Sequence, residues 1–150
     1  MSLDITARKV NFYYSIKKYI IDNFYTGNGI YILFDNFLPP DESVDRWIAV
    51  IQRPLSRDTL SEYEFDLYCV TRRDYEGEQL TELIDLVAGF FAGDTTQTDG
   101  LVRIPFYDSV TQIQNGCMVV TGCLEGDPME APDQSKFVVL SIIAKMASKI

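Results

Sequence analysis

Between Glu62 and Phe91 the hydrophobic period changes from two to nearly four with only a short polar turn between. Tyr63, Phe65, Leu67 and Cys69 alternate with Glu62, Glu64 and Asp66, which predicts a half-buried strand over about 62–72. After Arg72-Arg73-Asp74, the residues Leu80, Leu83, Ile84, Val87 and Phe91 recur at helical spacing. They predict an amphipathic helix over about 77–92, with Gly93 placed to end it. A strand and a helix that each carry one apolar face must bury those faces together, so a sheet with a helix laid on it is the simplest solution. The strand's other face carries three carboxylates, Glu62, Glu64 and Asp66, and is a candidate surface for a partner or for repelling an anion.

The flanking segments extend this pattern. Val10, Tyr13, Ile16, Ile20 and Phe24 form an apolar stripe that predicts a helix over about 4–25, stopped by Thr26-Gly27-Asn28-Gly29. Strands are predicted for Ile30–Phe37 and Arg46–Gln52, separated by the double-proline loop Leu38–Ser43, with Trp47 a candidate core residue. Beyond a polar linker at Asp94–Gly100, strands are expected at Leu101–Phe106, Gln114–Leu124 and Lys136 to about Met146, although Ile142–Lys149 also suits a helix. Pro105 points to a sheet edge. In the Gln114–Leu124 strand, Cys117, Val119, Thr121 and Cys123 should oppose Met118, Val120 and Leu124. Glu125–Gln134 reads as an acidic loop. The expected fold is α+β, a mostly antiparallel sheet covered by two helices in the order α-β-β-β-α-β-β-β, as one domain over 1–150.

Composition narrows the function. A formal charge of −9 argues against a neutralising patch for nucleic acid, while an acidic wall would let a polyanion pass without sticking. The chain has no histidine, which removes the usual acyl-transfer triads and most zinc sites. Cys69, Cys117 and Cys123 are odd in number and match no zinc spacing; each falls in a predicted strand, where a free cysteine packs as a small hydrophobe. A reducing compartment is the expectation. No run is apolar and long enough to span a membrane, and no secretory or lipidation motif is present.

The acidic groups remain as candidate chemistry. Glu62, Glu64 and Asp66 share a strand face, where they could act as an acid–base pair, hold a hard cation or simply meet solvent. The loop carboxylates Glu125, Asp127, Glu130 and Asp133 follow no calcium-loop order, and neither do Asp35, Asp41, Glu42 and Asp45 around the prolines. Gly27-Asn28-Gly29 follows a helix instead of opening one, so it is no nucleotide fingerprint. No metal, cofactor or catalytic residue is assigned on these patterns.

The segment from Glu64 to Val87, EFDLYCVTRRDYEGEQLTELIDLV, resembles the central part of bacteriophage tail terminator (tail-completion, head–tail joining) proteins. In that family a leading helix and two strands precede such a strand–helix pair, and a β-rich segment follows. The likeness lies in element order over nearly the whole chain. It implies a structural virion protein made in the host cytoplasm, a ring of typically six subunits that caps the head-proximal end of the tail tube. It further implies the tail tube protein and the neck connector as partners, with DNA passing through the bore without specific binding and with no catalysis. On that reading Glu62, Glu64 and Asp66 or the loop residues Glu125, Asp127, Glu130 and Asp133 line the bore or meet a partner. A small metal-dependent or ligand-binding α+β domain, and a monomeric assembly adaptor, stay open as alternatives.

Overall fold

The computed structural model describes residues 8–57, 60–92 and 101–147. The expected glycine stop at Gly93, the linker Asp94–Gly100 and the start of the first helix before residue 8 lie outside them. The elements in chain order are α1 (Lys9–Ile20), a wide helical turn (Ile21–Thr26), β1 (Tyr31–Phe34), β2 (Arg46–Gln52), β3 (Leu60–Thr71), α2 (Glu78–Phe91), β4 (Arg103–Tyr107), β5 (Gln114–Glu125), β6 (Met129–Glu130) and β7 (Lys136–Ala147). The class is α+β, as expected. One short strand, β6, lies inside what reads in sequence as the Glu125–Gln134 loop, and β7 stays extended where a helical end was also possible.

The strands form one curled sheet in the order β1-β2-β3-β7-β5-β4, with β6 added to β7. Among the described strands only β1 and β2 pair in parallel. β3 and β7 are the central pair, in unbroken antiparallel register from Leu60↔Ala147 to Thr71↔Lys136. Pro105 sits in edge strand β4, as its lack of an amide donor predicts. The Val120 amide donates to the Val102 carbonyl, so ladder bonds fall at even-numbered β4 positions and the missing amide of residue 105 points outward. That proline costs the sheet no bond and removes one donor from its open edge.

Both helices pack on the same face of the sheet. Phe12 and Ile16 of α1, Leu83, Val87 and Phe91 of α2, and Tyr63, Phe65, Leu67 and Cys69 of β3 share one buried cluster with Val138, Leu140 and Ile142 of β7. The alternation read for β3 therefore holds, and β7 alternates in the same way, with Val138, Leu140 and Ile142 in the core. The expectation of a sheet simply covered by helices does not: one face is covered, and among the described residues the other carries no helix. Trp47 is buried, yet it belongs to that bare face, beside Ala49, Tyr68, Val70 and Phe137.

The stripe on α1 differs from the one the spacing predicts. Val10 is 46% exposed, whereas Phe12, Ile16, Ile20 and Phe24 are fully buried together with Asn11 and Ser15. The two polar residues face inward because they have partners there. Ser15 Oγ accepts from the Tyr107 amide at 2.8 Å, and Asn11 Oδ1 accepts from the Ser109 amide at 3.0 Å. They tie α1 to the end of β4, a pairing no hydrophobicity pattern reveals. A four-residue step overshoots a full α-helical turn by about 40°. The wider turn at Ile21–Thr26 takes back part of that drift and keeps Phe24 on the core. Gly29, at φ +65°, then ends the helix, with the Gly29 and Ile30 amides donating to the Tyr25 and Phe24 carbonyls.

Two strands also depart from their expected extent or facing. β1 stops at Phe34 because Asp35 turns into the left-handed region and its carboxylate takes the Gln52 amide at 2.9 Å. In β5 the register against β7 shifts between Val120 and Gly122. Met118 and Val120 face the core as expected. Past that bulge the faces exchange, so Cys123 packs partly against the core and Leu124 is 66% exposed.

Candidate functional site

The acidic residues singled out in sequence fall at two separate places. Glu62 and Glu64 lie on the bare face, half-buried, with Glu62 4.0 Å from Lys145 Nζ. Asp66 is buried and already committed: Ser141 Oγ donates to it at 3.0 Å and Arg53 Nη1 lies 3.4 Å away. A solvated row of three carboxylates is therefore reduced to two, because the Asp66 position in the sheet centre is closed over by its neighbours. Glu125, Asp127, Glu130 and Asp133 are exposed towards the opposite half of β7, Glu125 across from Leu140 and Glu130 across from Lys136. Glu62 pairs across from Lys145 and Glu130 from Lys136, which at ~3.4 Å per residue sets these groups roughly 30 Å apart along the strand. The structure does not bring the seven together. Among the described residues no group of three histidine, cysteine or acidic side chains is spaced to hold a metal.

At the loop end a polar cleft of about 530 Å³ opens between the double-proline loop and the β5–β7 connection. Arg72, Arg73, Glu130, Asp133 and Lys136 are among the residues that line it. The Arg72 guanidinium donates to the carbonyls of Pro40 (3.2 Å), Asp41 (3.0 Å) and Val44 (3.4 Å), while lying 4.6 Å over the Trp47 ring. Arg73, held at φ +55°, donates from Nε to Asp45 at 2.8 Å and also reaches the Glu42 carbonyl. Together the two arginines fasten the whole 40–45 loop to the end of β3. Sequence reasoning reads Arg72-Arg73 as a turn and as the cations nearest Cys69, not as the anchor of a distant loop. The signal for more was present: two adjacent cations face a loop holding Asp41, Glu42 and Asp45.

Asp74 finishes that corner. Gly77 at the start of α2 has no side chain to cap it, and the Asp74 carboxylate instead accepts from the Leu80 amide (2.9 Å), the Gln79 amide (3.2 Å) and Thr71 Oγ1 (3.1 Å). Burial alone would raise the Asp74 carboxyl, but those donors outweigh it and its pKa lies below the ordinary 3.8. A depressed carboxyl stabilises the fold fully above its unfolded pKa and loses that contribution as pH falls through the folded value. Asp74→Ala should cost about 1–2 kcal/mol at neutral pH, as loss of a helix cap does. In urea titrations, the gap between variant and wild type should narrow below pH 3.8 and close in stronger acid.

The bare face holds the main apolar feature. Phe37, Trp47, Tyr68, Val70, Pro132 and Phe137 are among the residues lining a groove of about 420 Å³. Tyr68 meets Phe37 edge-on at 4.9 Å and stacks near Phe137 at 6.3 Å. Phe37 is 61% exposed at its lip. The cysteines separate by environment. Cys69 is buried in the core, where burial pushes its thiol up to about 12, whereas Cys117 is exposed and does not pack as the small hydrophobe its strand position suggested.

Taken together, these features define an α+β domain with a curled sheet, one face under two helices and the other carrying an open aromatic groove. No protein-family model and no curated protein matches the chain. A solved protein whose name carries no functional description superposes with a TM-score of 0.61 at 12% identity, over 93% of this chain and 95% of that one. That likeness shows the fold alone. Among the described residues no helix is long and apolar enough to cross a membrane.

Proposed function

We propose that this protein is a structural subunit of a bacteriophage tail-terminator ring. In this role several copies, six by analogy with the resembled family, cap the head-proximal end of the tail tube. They stop the tube protein from adding further and offer the neck connector a docking surface. The bare sheet face carries the proposal. The described residues leave tryptophan, tyrosine, phenylalanine and valine side chains on a face that neither described helix covers, as expected of a part built to be covered by others. The element order behind the family resemblance, α-β-β-β-α followed by further strands, is compatible with this role.

Glu62 and Glu64 are then the groups left to face passing DNA, where like charge keeps phosphates from sticking. Glu125, Asp127, Glu130 and Asp133, towards the other half of β7, form a partner-facing rim. The deciding experiment is removal of the gene from the phage that encodes it, with the particles imaged afterwards. Tails of uncontrolled length, or finished tails without heads, are the expected result. Normal infectious particles would overturn the proposal.

A further inference from the structure

The two ends of the sheet are chemically complementary, and this deepens the ring reading and rests on it. At one end the β4–β5 hairpin runs past the last residues of β7: Val119 pairs with Lys145, and β5 begins at Gln114. Its tip carries Val110, 81% exposed, and Ile113, 63% exposed. From Ser109 to Leu124 the chain carries no charge at all. The nearest carboxylate, Asp108, is turned onto the Val110 and Thr111 amides at 2.9 Å each. The start of α1 is fastened to this tip through Asn11 and Ser15, which places Val10 and the cations Arg8 and Lys9 beside the apolar knob.

The other end presents the reverse. The aromatic groove opens there, at the size typical of clefts that take a small apolar group, ~300–1,000 Å³. One wall is Ala131, Pro132 and Asp133, from the loop that carries Glu125, Asp127 and Glu130. The groove thus has an apolar floor and the Asp133 carboxylate in one wall, with Glu130 beside it in a cleft that also holds Arg72, Arg73 and Lys136, while the knob has an apolar tip and a cationic flank. No copy can fill its own groove. Phe137 and Lys145 alone are roughly 27 Å apart along β7 at ~3.4 Å per residue, and the hairpin tip lies further still.

We propose that the groove is occupied by the β4–β5 hairpin tip of a second copy, with Val110 and Ile113 inserted and with Arg8 and Lys9 set against Glu130 and Asp133. The two patches are different surfaces of one chain, so the contact is head-to-tail, and repetition about an axis closes a ring. In a chain at −9, an uncharged knob with a cationic flank is what lets copies approach despite their mutual repulsion.

Two single variants test this by sedimentation velocity, over roughly 10 μM to 1 mM protein. Ile113→Glu spoils the knob, and Phe37→Glu spoils the groove at an exposed residue. Each should weaken self-association by about tenfold or more, because a carboxylate must then enter an apolar site. Tyr68→Glu provides a second groove variant, and circular dichroism with urea unfolding checks that each is folded. Mixing Ile113→Glu with Phe37→Glu should give a dimer and nothing larger, since the pair keeps one intact knob and one intact groove between them. Added salt should weaken wild-type association as the rim attraction is screened. Variants that associate like wild type, or a mixture that builds larger species, would overturn this contact and leave the ring to another one. A wild type that stays monomeric throughout also overturns it, while the gene-deletion outcome continues to decide the ring itself.

Discussion

Phe12→Ala should destabilise the protein by about 3–5 kcal/mol, the range for emptying a fully buried aromatic site. Phe12 is at zero exposure, with its ring 5.5 Å from Tyr63 and 4.9 Å from Phe106. It is therefore the side chain that joins α1 to both the centre and the edge of the sheet. Truncation leaves a void between three elements that cannot all move inward at once, since Asn11 and Ser15 pin the helix to the end of β4. Val10→Ala, two residues away on the same helix, should change stability by less than about 0.5 kcal/mol. Urea unfolding of both variants, with unchanged slopes, checks the pair. Equal losses at the two positions would mean that the helix is rotated and that the apolar stripe read from spacing faces the core after all.

Arg72→Ala is expected to release the 40–45 loop and to cost about 2–3 kcal/mol, from charge-assisted bonds to three carbonyls and a cation over Trp47. The planar fork is what allows one side chain to serve those carbonyls and the ring together, so Arg72→Lys should recover less than half of the loss. Amide exchange in the loop and limited proteolysis between Leu38 and Asp45 report the release directly. A variant whose loop stays protected would show that the prolines alone hold it. Because Phe37 and Pro39 line the groove, loosening the loop should also blunt the aromatic surface on the bare face.

Much of this architecture was legible because its signals are local. The β3 alternation, the α2 period and Pro105 at an edge each depend on a few neighbouring residues, and each stands where expected. The α1 stripe was misjudged because Asn11 and Ser15 are buried by partners more than ninety residues away. The reversal within β5 depends on a one-residue bulge that leaves no mark on composition. At the candidate site, spacing found the carboxylates but not their company: Asp66 is enclosed by Arg53 and Ser141, and the acidic loop is built into the sheet through β6. The bare face was the least legible feature. Trp47, Tyr68 and Phe137 look like core residues in any pattern, and only the placement of both helices on the opposite side reveals that no described helix covers them.

The central pair, β3 with β7, has a consequence for synthesis. β7 is the last of the described strands, yet it lies between β3 and β5, and Asp66 and Ser141 meet across 75 residues of chain. Until Lys136–Ala147 leaves the ribosome, β1-β2-β3 and β4-β5 are two unjoined pieces with raw inner edges. Closing so long a loop is slow relative to local structure. A chain that has not yet added β7 therefore lacks the finished sheet, and its two ends come into fixed relation only once β7 is in place. On the proposed role, that order of events would act as quality control, since a chain without β7 in place has no joined sheet with which to enter an assembly.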